Sequence, residues 1–589
     1  MSCDKLVFDL SQELESTPSV FIKKDWLNIL DNQNANYNSN QATLDTSQLA
    51  NSNKYVSYRE AYLEVPMLLT IASANATANI VAGDFAPATT ATSADYAIGL
   101  KNWFGQMIHS FTLEMGNSTV IQQTPFVNMY NSFKLMTTLS WSDVAVIGST
   151  IGFYPDDPLS WTFESAVSSS GQGICNNTNA ITSSNGIATV VLFNQYNSAG
   201  GNLGFQKRQS YINYDSNGDS GDGTFGADIL SVQSATNLWK SYISKKQNAV
   251  ATTSQGVFQI SIMATIYLRH IHSFFNNVPL LKGAYFKMTM ALNNTTTTFT
   301  RVGGARTYTL TSVSNPNGGV NPLTLASQLA NNGATVAFGG TVATDTLFRA
   351  NISVGATCLD TTLATNGVTG SGTLGRSITL YVPTYSFNPI FETAYLSSPV
   401  KHIEYEDLYQ YSINNIAVNG TINQLVSNGI ANLKSVLILP FYSEQAGIAN
   451  TGLPIAIPVY QSPFDPAGTG PTSPLCLLNN FNVVISGQNA IYNTQMRAYE
   501  QFNNQLYGAN AINGGQTEGI NSGLFNSLGF EMEYCYHYVN VSRMLPVEQS
   551  VPKSVQIVGQ NQSQRAVNLF VFCAYGASVD VDVLTGSRV

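Results

Sequence analysis

The residues best placed to hold a metal ion are Asp215, Asn217, Asp219 and Asp222. They lie in the stretch DSNGDSGDG, where alternating oxygen-bearing side chains in a Gly-rich loop suit calcium. The stretch lacks the Gly at the sixth position and the Glu at the twelfth that an EF-hand loop needs, so solvated turns are the better reading. His270 and His272 fall on one face of an expected strand and could supply two ligands, but no third lies nearby in the sequence. Cys535 and His537 share another strand face. A thiolate and imidazole there would be activated only inside a cleft, and strand pairing is the plainer role. Asp156, Asp157, Glu404, Glu406 and Asp407 supply carboxylates without the paired arrangement that glycoside hydrolysis demands. The phosphate-loop, zinc-protease and serine-hydrolase motifs are missing, no GxGxxG lies between a strand and a helix, and five histidines in 589 residues leave the chain poor in its commonest general base. No catalytic residue, cofactor or metal is therefore assigned, and an enzyme is not expected.

The elements that would carry such groups are dominated by strands. Charged residues are only 10% of the chain against ~25% in ordinary domains, while 44% is hydrophobic and 11% aromatic. That much apolar surface argues against disorder. The reading is a β-rich protein with a polar, uncharged surface suited to lateral contact with copies of itself. A net charge of −9, with no basic cluster longer than a pair, disfavours nucleic-acid binding. No secretory signal is visible at MSCDKLVFDLSQELE, and no run reaches the ~18 apolar residues of a membrane span. Six scattered cysteines suggest reduced, intracellular thiols, and the Asn-X-Ser/Thr sequons are read as unglycosylated.

Along the chain, residues 1–52 read as an N-terminal arm, with an apolar cluster from Val20 to Leu30 that could form a short docking helix, then the polar run NQNANYNSNQ. A strand is expected at YREAYLEVPMLLTI. Leu100, Trp103, Phe104, Met107, Ile108 and Phe111 follow a helical period, and Thr124-Pro125 predicts the start of a helix bearing Phe126, Met129, Tyr130 and Phe133. Residues 53–390 read as one β-sandwich with large excursions at about 165–225 and 293–372, and 391–589 as a second, more compact one. KHIEYEDLYQYSIN at 401 echoes KYVSYREAYLEVPM at 54. FNVVISGQN followed by a helical stretch with Met496, Tyr499, Phe502 and Leu506 repeats FTLEMGN and the Phe126 helix. In the closing strands, Phe530, Met532, Tyr534, Tyr536 and Tyr538 fall on one face, opposite Glu531, Glu533, Cys535 and His537.

Several phrases carry a family resemblance: KYVSYREAYLEVPM at 54, LKNWFGQMIHSFTLEMGN at 100, YVPTYSFNP at 381, NLKSVLILPF at 432, FNVVISGQN at 481, YVNVSRMLPVEQSVPKSVQIVGQNQS, and DVLTGSRV at the end. Their order resembles that of the double jelly-roll major capsid proteins of virophages, polinton-like viruses and larger double-stranded DNA viruses. The resemblance spans about 54–589 and weakens in the two loop-rich stretches. It implies an all-β fold of two tandem eight-stranded jelly rolls, with short helices and the long insertions in the first. It further implies homotrimers of pseudo-hexagonal outline tiling an icosahedral shell, a virion protein assembled inside the host cell, and an outward tower built from the two excursions, open to a host receptor. The arm would sit near the base. Penton and minor capsid proteins would be its other partners, with no sequence-specific nucleic acid among them. A tandem β-sandwich of the carbohydrate-binding or adhesin type, with calcium in DSNGDSGDG, is the alternative.

Overall fold

The computed structural model describes residues 19–50, 52–73, 96–116, 118–155, 208–211, 241–247, 256–301, 308–327, 346–355, 377–443, 458–463, 478–491, 534–541, 550–563 and 566–589, with single positions at 472, 476, 499, 501, 502, 505, 524, 527 and 530. Sixteen strands form its frame. The first eight are β1 (Phe21–Leu30), β2 (Gln41–Asp45), β3 (Tyr62–Ser73), β4 (Ile108–Met115), β5 (Ser118–Ile121), β6 (Gly256–Tyr267), β7 (Phe286–Leu292) and β8 (Thr379–Phe387). They pair antiparallel in the orders β1-β8-β3-β6 and β2-β7-β4-β5. The second eight are β9 (Val400–Ile416), β10 (Thr421–Ile430), β11 (Leu433–Tyr442), β12 (Leu478–Ile485), β13 (Gln488–Asn489), β14 (His537–Asn540), β15 (Lys553–Asn561) and β16 (Val567–Asp582). Their orders, β9-β16-β11-β14 and β10-β15-β12-β13, repeat the first set eight strands later. Each set is a complete eight-stranded jelly roll.

Period-two burial builds these sandwiches. In β7, Phe286, Met288, Met290 and Leu292 are buried and alternate with half-buried positions; β15 alternates in the same way, with Val555 and Ile557 buried. Extra strands at 295–301, 308–314 and 346–354 extend the first sheet, the last pairing with residues 67–73 of β3. Pro66, which has no N–H to give, falls in the gap between that pairing and the β8 pairing at 62–64.

Because neighbouring strands alternate in direction, the connections β3–β4 (74–107), β5–β6 (122–255) and β7–β8 (293–378) all leave the first roll at one end. The short connections 46–61, 116–117 and 268–285 lie at the other. In the second roll the chain leaves β11 and β13 at the corresponding end. The excursion expected at about 165–225 lies almost wholly outside the described residues, and the one expected at 293–372 is in part sheet, at 295–301, 308–314 and 346–354.

Three expectations need correction. The segment from Val20 to Leu30 is neither arm nor helix: residues 21–30 are the first strand of the first roll, paired along β8, and 41–45 are its second, so that roll begins well before residue 53. Between them the Asn-rich run is a structured turn, with Asn34, Ala35 and Asn40 at positive φ around a buried Tyr37. The helical period from Leu100 to Phe111 is a single 3-10 turn, Phe104–Met107, running into β4. Residues 108–111 are buried on both faces of the strand, which blurs the alternation a strand normally shows. The echo between 54 and 401 also joins unlike elements, since 62–73 is the third strand of its roll and 400–416 the first.

Candidate assembly surface

The two rolls are joined by a helix from the first. After β5 the chain forms α1 (Val127–Thr138) and then α2 (Trp141–Ile151), the latter closed at its start by a reciprocal capping box between Ser140 and Asp143. All but two residues of α1 are buried, so it has no solvent face of ordinary width. Its rings lie on the outer face of the β9-β16-β11-β14 sheet. Phe126 packs 4.8 Å from Phe570, Tyr130 5.7 Å from Phe572, and Phe133 5.1 Å from Tyr536 and 5.7 Å from Tyr538. Residues Val567 to Ala574 of β16 are consequently buried on both faces.

The expected start of α1 at Thr124-Pro125 is displaced to Val127. The Thr124 hydroxyl is committed to the second roll, donating to the Leu408 carbonyl at 2.9 Å, and Phe126 turns the chain into the helix with φ at +58°.

Polar contacts close the seam at both ends. At the end with the long connections, buried Lys101 donates to the carbonyls of Tyr460 (3.3 Å) and Ser462 (2.9 Å), and the Asn321 amide side chain to that of Gln461 (3.0 Å). At the other end, the Ser273 hydroxyl donates to Glu406 O (2.7 Å), the Asn277 amide to Glu404 O (2.8 Å), and the Tyr405 hydroxyl to Val120 O (2.7 Å). Like ends meet like, so the rolls stand side by side with the same polarity.

A cleft of about 330 Å³ opens at this seam, lined among others by Lys134, Arg269, His270, His272 and Glu406. Here the expected histidine pair is rearranged. β6 stops at Tyr267, and His270 and His272 sit on and just after the short helix Leu268–Ile271. His270 packs edge-on against Tyr267 and Trp103; burial, with the Arg269 charge beside it, pushes its pKa down to about 4. His272 accepts the Phe274 N–H on Nδ1, which leaves the proton on Nε2, 3.5 Å from Asp407 Oδ1. Asp407 is a fastener between rolls. Its carboxylate also takes the Gln122 N–H at 3.4 Å and the Tyr575 hydroxyl at 3.2 Å. Beside it, the Ser273 hydroxyl donates to the Glu406 carbonyl and accepts the Glu406 N–H, a further link between the rolls.

Elsewhere, Cys535 and His537 are both buried, with His537 against the Phe481 ring at 4.7 Å, so the expected split of this segment into a core face and an outer face is not what folds. Asp580 binds His402 on the exposed edge of β9 and β16, the carboxylate raising the imidazole pKa. Asp156, Asp157, Asp215, Asn217, Asp219, Asp222, Glu531 and Glu533 lie outside the described residues. Among the described residues no three His, Cys, Asp or Glu side chains group as metal ligands.

The sequence reading missed a second surface. On the outer face of β1-β8-β3-β6, Trp26, Tyr62, Tyr381 and Tyr267 form a continuous stripe: Trp26 to Tyr62 5.8 Å, Tyr62 to Tyr381 5.1 Å stacked, and Tyr62 to Tyr267 5.8 Å. Trp26 is 49% exposed and Leu30 58%, and the stripe is edged by Lys24 over Trp26 and Arg269 over Tyr267. Alternation alone could have located it, since residues 24, 26, 28 and 30 share a face, but only once the segment is read as a strand.

No protein-family model matches the chain, and no curated protein matches it in sequence. Among solved structures, it is similar to a chain of the Sputnik virophage (11% identity, 98% of this chain and 90% of that one, TM-score 0.46). It is similar also to the mavirus major capsid protein (11%, 98% and 92%, TM-score 0.45) and to the Faustovirus major capsid protein (10%, 97% and 93%, TM-score 0.41).

Proposed function

We propose that this chain is a structural virion protein, the major capsid protein whose trimers form pseudo-hexagonal capsomers that tile an icosahedral shell. The observation that carries the reading is the fusion of two complete jelly rolls with one strand order, held upright and parallel by α1 and by the contacts at both ends of the seam. Two like blocks in one chain make three chains equivalent to six blocks, the number that closes a hexagonal outline. Both rolls place their longest connections at one end, which supplies an outward tower for receptor contact and leaves the opposite end toward the capsid interior. The order of the capsid-like phrases from residue 54 to 589 supports the same reading. Penton and minor capsid proteins are the remaining partners in this scheme, and the role is mechanical rather than catalytic.

Light scattering on the purified protein, with negative-stain images, tests the proposal. Trimeric particles of hexagonal outline, or shells, are expected; a protein that stays monomeric across the micromolar range refutes it.

A further inference from the structure

The turn between β1 and β2 holds a buried carboxylate that the fold leaves without a donor. Asp31 is 5% exposed, and neither of its oxygens accepts a hydrogen bond; two residues on, Oε1 of Gln33 is buried and unpartnered as well. Both sit in a fixed frame. The Asp31 N–H donates to the Ile378 carbonyl at 3.1 Å and the Ile378 N–H to the Tyr37 hydroxyl at 2.7 Å, which ties the turn to the start of β8. Asn34 and Ala35, at positive φ, reverse the chain, and the Asn36 N–H closes the turn on the Gln33 carbonyl at 2.9 Å. Gly355 closes the site from another strand: at φ +102°, a Cβ there would come within 2.9 Å of the Tyr37 ring and 3.0 Å of the Ala35 carbonyl. Burial, and after it the Asp31 carboxylate alongside, push the Tyr37 hydroxyl pKa up, although the two groups lack the geometry of a hydrogen bond. Among the described residues no Lys or Arg pairs with Asp31.

We propose that Asp31 and Gln33 are the side-chain ligands of a calcium ion that pins the β1–β2 turn to the start of β8. An ionised carboxylate offers only lone pairs, and leaving them unanswered away from water is among the costliest arrangements a fold can hold. A bound cation removes that cost and answers the amide oxygen with the same charge. The donor set selects the ion. A carboxylate and an amide carbonyl are hard oxygens, and the turn DNQNANYNSN has no His or Cys to favour zinc or copper. Calcium accepts an irregular, partly hydrated shell, whereas magnesium demands a near-ideal octahedron. Asp-X-Gln also has the two-residue spacing with which oxygen-bearing side chains open a calcium loop. With one carboxylate the charge count is small, so the affinity belongs to the weak range of about 0.1–1 mM. Leu30 pairs with Thr379, which places the turn at the long-connection end of the first roll, where the ion would stiffen the root of the 293–378 connection. The site lies within one chain and does not depend on the capsomer reading.

Isothermal titration of the chelator-treated full chain with calcium chloride tests this, and hydrogen exchange of the 32–40 amides locates the ion. The parent is expected to take up calcium with half-saturation at about 0.1–1 mM, and 10 mM calcium to slow exchange of those amides about tenfold. Asp31→Asn keeps the size of the side chain and removes its charge. Without calcium this variant should resist denaturant as well as the parent or better, and calcium should leave its 32–40 amides unprotected; an aspartate with a purely structural role would give a weaker protein whether or not calcium is present. Gln33→Leu should fold and require severalfold more calcium for the same protection. The site is overturned by a parent that takes up no calcium below 10 mM, or by protection confined to other segments. It is overturned equally if both variants keep the parent's response, which would put the ion elsewhere, as in DSNGDSGDG.

Discussion

Phe126 sets two forces against each other at a single residue. As the residue before the first turn of α1 it adopts φ +58° and ψ 26°, a left-handed conformation that costs a residue with a Cβ about 1–2 kcal/mol. Its ring meets His109 at 4.8 Å, Tyr460 at 5.8 Å and Phe570 at 4.8 Å, the last two on the second roll. Ring burial of about 1.5–3 kcal/mol, together with aromatic pairings of about 0.5–1.5 kcal/mol each, outweighs the strain. Every truncation should therefore destabilise the docked helix, by roughly 2–4 kcal/mol. The order among truncations reports the backbone. Glycine sheds the strain and gives back about 0.5–1 kcal/mol in unfolded-state entropy, so the Phe126→Gly chain should be more stable than the Phe126→Ala chain by about 0.5–1 kcal/mol. Phe126→Ser should match Ala, because a left-handed backbone aims the hydroxyl away from the amides it would cap. At an ordinary helix start serine leads, glycine follows and alanine trails. Hydrogen exchange of the 127–138 amides, measured by mass spectrometry, gives the opening free energy of α1 without assuming that the whole chain unfolds in one step. Serine equal to or better than glycine would refute the reasoning.

Two further outcomes follow from buried groups. Burial holds His109 and His270 at pKa values of about 4, below the ordinary 6.5, so the unfolded chain binds more protons between those values. Stability should be full above pH 6.5 and decline as pH falls toward 4, by on the order of 3 kcal/mol for each histidine, and denaturant midpoints measured against pH in His109→Gln and His270→Gln should show a shallower acid limb. At the C-terminus, Gly586 has φ +66°, and a Cβ there would meet the Gly283 backbone carbonyl carbon of the first roll at 2.2 Å. Gly586→Ala should undock residues 583–589, costing more than about 1 kcal/mol, and limited proteolysis should release that segment faster than in the parent.

The second roll was legible from sequence because its sheets obey one rule: residues such as Val555 and Ile557 point inward and their neighbours do not. The repeat of strand, turn and helix was legible too, since β4, β5 and α1 occupy the same places in the first roll as β12, β13 and the helical residues from 499 in the second. β1 was hidden by the feature that gives it interest. Leu27 and Ile29 face partners in the molecule, but Trp26 and Leu30 on the other side are apolar and exposed, and a bulge between Phe21 and Lys23 shifts the register ahead of them, so no alternation survives and the segment mimics an amphipathic helix. Thr124 misled for a related reason. A Thr-Pro pair ahead of an apolar period is a sound helix start, until the hydroxyl finds a partner on another domain. Sequence patterns record local preference, and both errors occur where a residue serves a contact hundreds of positions away.

The seam also gives the scarcity of charge a physical meaning. Across it, Thr124, Ser273, Asn277, Asn321 and Tyr405 all donate to backbone carbonyls of the facing roll. Lys134 and Glu406 form an ion pair across it at 3.9 Å, with both side chains more than a third exposed, and such a pair contributes about 0–1 kcal/mol. A neutral hydroxyl or amide loses much less on leaving water than a charge does, and a backbone carbonyl cannot be titrated or withdrawn by a rotamer change. The seam's two buried charges, Lys101 and Asp407, are held by the same kind of hydrogen bonds and lie away from solvent, where salt screens little, so the seam is aligned by hydrogen bonds and held by rings. The Asn, Ser and Thr side chains that line this seam in place of charged ones can therefore leave water for a facing carbonyl at modest cost.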